Sequence, residues 1–356
     1  MAAAVSAADR ARRPGAAERF QAFGKRALER LRDISQRLPG LRQQSGPQNQ
    51  LGLALLPNGI SLASTLRIGS GQPRLVRCEF QPLPRQADPG LSLRNLMLQT
   101  GLERASLQLV LNPDEYQLHL VESPDVPDSE MRDAVRWRIR DLIDFPVDEA
   151  AIDVLDMPQA GAGRETGKMM CVVVSRTPVI AQKAALVNRS GAELGLIDIA
   201  DLSLRNLLAL TPADRTGAAL LYVEAGYSMI LITGDETLYL SRRIWIGQQE
   251  LAALADKDPL GEEFRRTADA LAMELLRSLE YYETHFSRPA VETLYVAPFG
   301  LVEPALLKHL SQAVGVSAEA LDLNKLLDIP GGMAPDMQAR SLLAIGAALR
   351  QERVAL

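Results

Sequence analysis

Apolar positions along the chain change period several times, and each change marks an element. In "LGLALLP" (51–57), "GISLASTLRI" (59–68) and "RLVRCEFQPL" (74–83) the apolar runs are short and end at Pro-Asn-Gly and Gly-Ser-Gly-Gln-Pro turns. That spacing predicts a β-meander. A helix is expected near 91–101, then two strands around Asn112-Pro113-Asp114. In "SEMRDAVRWRIRDLIDF" the period becomes helical, with Asp128 or Ser129 as cap and Met131, Val135, Ile139 and Leu142 as the apolar stripe. "AAIDVLDMP" and "MMCVVVSRTPVI" read as strands, and "AQKAALVNRSGAELGLIDIADLSLRNLLAL" as helix, strand, helix. After Pro212 the pattern restarts with a second Gly-containing meander, "AALLYVEAGYSMILITGDETLYLSRRI". A long helix over 262–286, a strand at 292–297 and helices near 303–313 and 339–352 follow. Two halves that begin alike suggest a duplicated α/β fold, which places a ligand between its halves where strand ends converge.

The segment before this body has a different character. Residues 1–15 are Ala/Arg-rich and are expected to be disordered. Over 16–38 Phe20, Phe23, Ala27, Leu28, Leu31, Ile34 and Leu38 recur at three- and four-residue steps, with Lys25, Arg26 and Arg32 among the basic residues between them. Pro39-Gly40 ends the helix, and "RQQSGPQNQ" reads as a linker. Charge sharpens the contrast. Residues 1–44 hold ten Arg/Lys and four Asp/Glu, a net of +6, which leaves −11 for the rest of a chain whose total is −5. A basic amphipathic helix on a tether suits an anionic membrane surface. Docking on a protein, or no fixed structure, are the alternatives.

Composition narrows the class. The 356 residues are 47% hydrophobic and 23% charged, enough for two or three globular domains. Cys78 and Cys171 form no CxxC pair, which argues against a disulfide framework and for a reducing setting. No apolar stretch approaches a membrane span, the N-terminus lacks a signal-like apolar core, and the acidic body has no nucleic-acid footprint.

Motif searches mostly subtract. "GAGRETGKMM" (161–170) fails the phosphate-loop spacing: Ala162 stands where the first glycine belongs and Met169 where the metal-binding hydroxyl belongs. It reads as a loop between strands. His119, His285 and His309 share no ligand spacing, so no metal site and no hydrolase constellation is expected. Arg132, Arg136 and Arg140 line one helix face beside Trp137 and the aspartates 133, 141 and 144. The plain reading is a solvated face with intrahelical pairs; the sharper one is a docking surface anchored by Trp137. Glu224-Ala225-Gly226-Tyr227-Ser228, at a strand-to-strand bend, has the residue types of a phosphate site and also those of an ordinary hairpin.

The stretch "MRDAVRWRIRDLIDFPVDEAAIDVLDMP" (131–158) resembles the PilM family of type IV pilus assembly proteins, in particular its MSHA-pilus branch. The hairpin at 219–243 and the helix "ARSLLAIGAALR" (339–350) agree, so the resemblance covers roughly 50–352. It implies an actin-like ATPase fold, the duplicated RNase H-like α/β architecture, with ATP and magnesium between the halves. It also implies a cytoplasmic protein peripheral to the inner membrane, bound to the short cytoplasmic N-terminus of a PilN-like membrane protein.

The implied nucleotide loops can be tested position by position. In the first, "GLALLPNG", Ala54 stands at the Asp position and Leu56 at the Gly position. In the second, Glu224, Gly226 and Ser228 keep the chemical types. In the adenosine-side loop Ala297-Pro298-Phe299 precedes Gly300. Asp198 matches a family position, but Ala200 stands where an acidic residue is common. Phosphoryl transfer needs a positioned metal and several donors, so one intact loop predicts no catalytic residues and no cofactor. If nucleotide binds, Asn58, Gly59, Glu224, Gly226, Ser228 and Gly300 are the residues expected to hold it.

The expected layout is an arm at 1–49, a first domain at 50–215 with an inserted 1C-like subdomain near 105–180, a second domain at 216–338, and a C-terminal helix at 339–356 returning to the first. The expected function is a non-enzymatic, pseudo-ATPase adaptor in MSHA-like pilus biogenesis. It would dock a PilN-like partner through Arg132, Arg136, Trp137 and Arg140, with Phe20, Phe23, Lys25, Arg26, Leu31 and Arg32 at the membrane. The alternatives are an ATP-binding switch of the same machinery, or a type II secretion component; the latter is expected to continue into a membrane helix.

Overall fold

The computed structural model describes residues 49–351, apart from 68–70, 85, 103–104, 160–167, 258–260 and 301–302. The arm, with Phe20, Phe23, Lys25, Arg26, Leu31 and Arg32, and most of the 161–170 loop lie outside the described residues.

The meander at the start of the body forms three antiparallel strands, β1 (Asn49–Leu56), β2 (Gly59–Leu66) and β3 (Arg74–Pro82). Helix α1 (Pro89–Thr100) follows, capped by Asp88, whose carboxylate accepts from the Gly90 amide at 2.7 Å, and closed by Gly101 in the left-handed region at φ 67°. β4 (Ser106–Leu111) pairs parallel with β1, and β8 (Glu193–Ile199) parallel with β4. The sheet order is β3-β2-β1-β4-β8.

The second half repeats this topology. β9 (Ala218–Val223), β10 (Ser228–Gly234) and β11 (Thr237–Ile244) are antiparallel, and β12 (Thr293–Val296) and β13 (Ser317–Ala320) run parallel to β9. The order is β11-β10-β9-β12-β13. β9 and β10 are buried throughout, which explains why their sequences lack the alternation of a one-faced strand. Helix α6 (Glu262–Phe286) covers one face, burying Phe264, Ala268, Leu271, Leu275, Leu279, Tyr282 and Phe286 at helical spacing.

Between β4 and β8 the chain inserts a separate antiparallel sheet: β5 (Tyr116–Glu122), β6 (Ala150–Asp156) and β7 (Met169–Arg176), with β7 central. Helix α2 (Asp128–Ile139) buries Val135 and Ile139 against Val121, Val172 and Val174. This helix is shorter than its periodicity suggests. The chain leaves the helix after Ile139, so Leu142 falls outside the stripe and is 50% exposed. Phe145 takes the core place instead, with the Arg176 guanidinium 4.2 Å from its ring centroid. Helix α3 (Thr177–Arg189) leads from the insert back to β8.

Two helices join the halves. α4 (Ala200–Leu208) follows β8, and α9 (Pro335–Ala348) closes the described chain; α5 (Gln248–Lys257), α7 (Glu303–Val314) and the one-turn α8 (Leu323–Leu326) lie between α4 and α9 in sequence. α4 and α9 share one core with both large sheets, including Ala54, Val110, Leu204, Leu208, Leu220, Leu231, Leu343 and Ile345. α9 is buried almost all round because its neighbours press from two sides. A Cβ on Gly52 of β1 would lie 1.9 Å from the Ala344 carbonyl oxygen, and one on Gly346 would lie 2.1 Å from the Ser203 carbonyl oxygen. Thr65 also donates to the Ala348 carbonyl at 2.5 Å, and Asn206 to the Gly346 carbonyl at 2.9 Å.

Gly346→Ala should therefore force backbone apart rather than displace a side-chain tip. Urea unfolding is expected to show a loss of about 3 kcal/mol or more, toward the upper end for overpacked cores. Ala347→Gly, one residue away, should cost only about 1 kcal/mol.

Candidate functional site

The three expected nucleotide loops sit at the ends of β1, β9 and β12, and each is satisfied differently. In the first loop Ala54 is 1% exposed and belongs to the shared core, and Leu56 packs against the same core. No carboxylate stands at either position. Asn58 is exposed on the β1–β2 turn, and its carbonyl accepts from the Leu83 amide at 3.0 Å. Gly59 is required by packing: a Cβ there would meet the Phe80 ring at 2.4 Å and the Gln81 carbonyl at 2.6 Å. That accounts for the glycine through β3 alone.

The second loop keeps its shape but spends its polar groups locally. The Glu224 amide donates to the Tyr227 carbonyl at 2.8 Å, and the Glu224 and Ala225 carbonyls accept from the Gln248 and Gln249 amides at 2.7 and 3.0 Å. The Ser228 hydroxyl donates to the Ile246 carbonyl at 2.6 Å. The Glu224 carboxylate accepts from the Tyr222 hydroxyl. Burial pushes the Glu224 pKa up, hydrogen bonds from Tyr222 and the Ala225 amide oppose this, and nearby Asp114 adds to the rise. Gly226 stands in open space.

The third loop is packed with apolar groups. Ala297 and Phe299 are buried at 1% and 8% exposure, and Pro298 is buried between them. Gln248 ties this loop to the second one: its amide serves Glu224, and its side chain donates to the Phe299 carbonyl at 2.7 Å. Gly300 is exposed at φ 135°. Thus Glu224, Gly226, Ser228 and Gly300 share one region, whereas the contacts of Asn58 and Gly59 run to β3 and Leu83. The donor set fits a magnesium nucleotide poorly. The first loop lacks its carboxylate, Ser228 and Glu224 already have partners, and Pro298 offers no amide. Among the described residues no group of three or more His, Cys, Asp or Glu could hold a metal ion.

Sequence reading did not foresee the polar contacts that tie this region together. Asn112 donates to the Leu55 carbonyl at 2.8 Å, and Arg243 donates to the Pro113 carbonyl. Asp201, 1% exposed in the first turn of α4, accepts from Tyr116 of β5 and Ser241 of β11. Asp198 pairs with Arg350 at 2.8 Å; the carboxylate is 2% and the guanidinium 11% exposed. Burial raises both aspartate pKa values, against the pull of Arg350 on Asp198 and of the two hydroxyls on Asp201. The available signal was an acidic residue inside an apolar run, "LIDIADLSLRNL", since a charge there needs partners.

A second concavity, of about 600 Å³, opens between the inserted sheet, β8 and the β10–β11 turn. Leu118, Leu155, Val173, Ile180 and Leu202 supply apolar wall, and the Asp198–Arg350 pair lies at its lining. The expected arginine face lies on α2. Trp137 is 72% exposed, with the Arg140 guanidinium 5.8 Å from its ring centroid. Arg136 donates to the Val147 carbonyl at 3.2 Å, and Asp144 pairs with Arg176 at 3.7 Å rather than with the helix. Arg132 acts on the Asp153 carboxylate, opposing the rise in pKa that partial desolvation causes.

The raised Glu224 pKa carries a sign. A carboxyl that holds its proton more tightly when folded contributes stability below its ordinary range and loses it as pH rises through the folded value. Glu224→Gln should therefore flatten the fall in unfolding free energy from mildly acidic to neutral pH, as read by urea melts across that range.

No protein-family model matches the sequence, and no curated protein sequence matches it. Solved structures do. A chain of the PilM-PilN type IV pilus biogenesis complex superimposes with a TM-score of 0.64 at 19% identity, over 84% of this chain and 97% of that one. A Bacteroides thetaiotaomicron protein of actin-like ATPase fold and unknown function gives 0.45 at 8% identity, over 82% and 95%. The cytoplasmic domain of EpsL, an inner membrane component of the Vibrio cholerae type II secretion system, gives 0.40 at 13%, over 74% and 95%. Two five-stranded sheets of identical topology, a three-stranded insert and a shared helix pair give this chain an actin-like ATPase fold of the PilM-like kind.

Proposed function

We propose that this protein is a non-enzymatic adaptor of a type IV pilus assembly machine, of the MSHA type, that captures the cytoplasmic N-terminal segment of a PilN-like membrane protein. The observation that carries the reading is the exchange of roles between two concavities. Core side chains Ala54, Leu56, Pro298 and Phe299 fill the loops that a nucleotide would need, while the groove lined by Leu118, Leu155, Val173 and Ile180 offers apolar wall. The likeness to the PilM-PilN complex supports this choice of partner. An extended segment laid in such a groove gains affinity from a few buried side chains. On this reading the cleft is a pseudo-ATPase site and catalyses nothing. The face of Arg132, Arg136, Trp137 and Arg140 is a secondary contact for an acidic stretch of the partner.

The amphipathic arm, through Phe20, Phe23, Lys25, Arg26, Leu31 and Arg32, would hold the adaptor at the cytoplasmic side of an anionic inner membrane. Among the described residues no helix is long and apolar enough to cross a membrane. Pilus-assembly reading frames beside this one would support the MSHA assignment.

A fluorescent peptide of the partner's N-terminus should bind the full chain, and Leu155→Asp should weaken binding at least about tenfold, equivalent to 1.4 kcal/mol. No binding at roughly tens of micromolar, about −6 kcal/mol, would remove the main support. Calorimetry with Mg-ATP should show no submillimolar binding. Binding that Glu224→Ala abolishes would favour the competing reading of a nucleotide switch, which the surviving Glu224, Gly226 and Ser228 suggest.

A further inference from the structure

The face of β11 that looks into the cleft makes three separate attachments to the other half. Pairing skips Tyr239, opposite Ile232 and Thr233, so one extra residue is inserted in β11. This bulge changes the alternation. Leu240 and Tyr239 turn toward the α6 side and Arg242 pairs with Glu274 of α6, while Leu238, Ser241 and Arg243 turn the other way. Leu238 packs with Leu111, Tyr116 and Leu202; Ser241 donates to Asp201; Arg243 donates to the Pro113 carbonyl. The partners come from four places in the first half: the end of β4, the β4–β5 connection, the edge strand β5 and the first turn of α4.

Electrostatics concentrate on Arg243. Its guanidinium lies 5.1 Å from the Tyr227 ring centroid and 5.7 Å from that of Trp245, which holds it over the second loop. Asp114 of the first half lies close enough to Glu224 of the second to add to the rise in pKa that burial causes. Arg243 is the cation that acts on Tyr227 alongside Glu224, Asp114 and Asp201. Remove it, and like charges from opposite halves face each other.

We infer that β11 is an interdomain clasp: Ser241 and Arg243 hold the two halves closed through Asp201 and Pro113, so that closure of the cleft is set by the chain's own side chains rather than by a bound nucleotide. The idea stands on the cleft geometry and does not require the partner proposed above. A clasp of this kind makes the body a rigid platform whatever the nucleotide level.

Hydrogen exchange of the full-length protein, read by mass spectrometry, tests it. Arg243→Ala should speed exchange at least about tenfold in 116–122 and 237–244 and leave 219–223 and 293–296 unchanged, as expected for local opening. Adding Asp114→Asn should restore part of the protection, because it removes one of the facing carboxylates. Mg-ATP should leave the wild-type pattern unaltered. Equal exchange in variant and wild type would overturn the clasp, as would a uniform increase across the body, which marks a general stabiliser. Slowing of 116–122 and 237–244 in the wild type on adding Mg-ATP would also overturn it, since closure would then depend on the ligand.

Discussion

The architecture depends on one steric constraint, the close passage of α9 between β1 and α4. Without a Cβ at Gly52 the Ala344 carbonyl can lie against the strand, and without one at Gly346 the helix can lie against Ser203. At that separation Leu342, Leu343, Ile345 and the alanines between them are all buried, and both large sheets contribute to one core. Interiors are packed too densely to absorb a backbone shift at such a point. The two halves are therefore joined by a shared interior as well as by a surface, and any motion between them has to pivot on this helix pair.

That joint brings buried polar groups close together, and the cleft is organised by how they are satisfied. Asp201 and Asp198 are acids inside an apolar surround, a placement tolerated only with hydrogen-bond partners. Tyr116, Ser241 and Arg350 supply them from three distant parts of the chain. The second loop follows the same rule. Its hydroxyl, carboxylate and two carbonyls are satisfied by Ile246, Tyr222 and the start of α5, so the loop persists as a stable piece of structure whatever it binds.

Much of the architecture was legible from periodicity. The restart after Pro212 announced a duplicated topology, and 262–286 was readable as one long helix because its apolar positions keep step for seven turns. Boundaries were less so. The stripe through Leu142 overran α2, because a 3.6-residue pattern continues past the helix end into a turn where Phe145 takes the core place. The site was legible only as residue types. Gly59 was expected among the residues that would hold a nucleotide, and the structure shows a packing demand there as well, since a Cβ would meet the Phe80 ring. Asp144 read as a helix-face partner and pairs with Arg176 of β7.

Sequence alone determined what depends on neighbours in the chain: strand and helix periods, the turns, the missing carboxylate at Ala54 and the missing amide at Pro298. Tertiary structure decided what depends on residues far apart. Arg350 lies 152 positions from Asp198, Arg243 lies 130 from Pro113, and the groove has walls from the insert, β8 and the β10–β11 turn. The physical reason is that hydrophobic pattern is a local property of the chain, whereas burial of a charge is resolved by whichever partner the completed fold delivers.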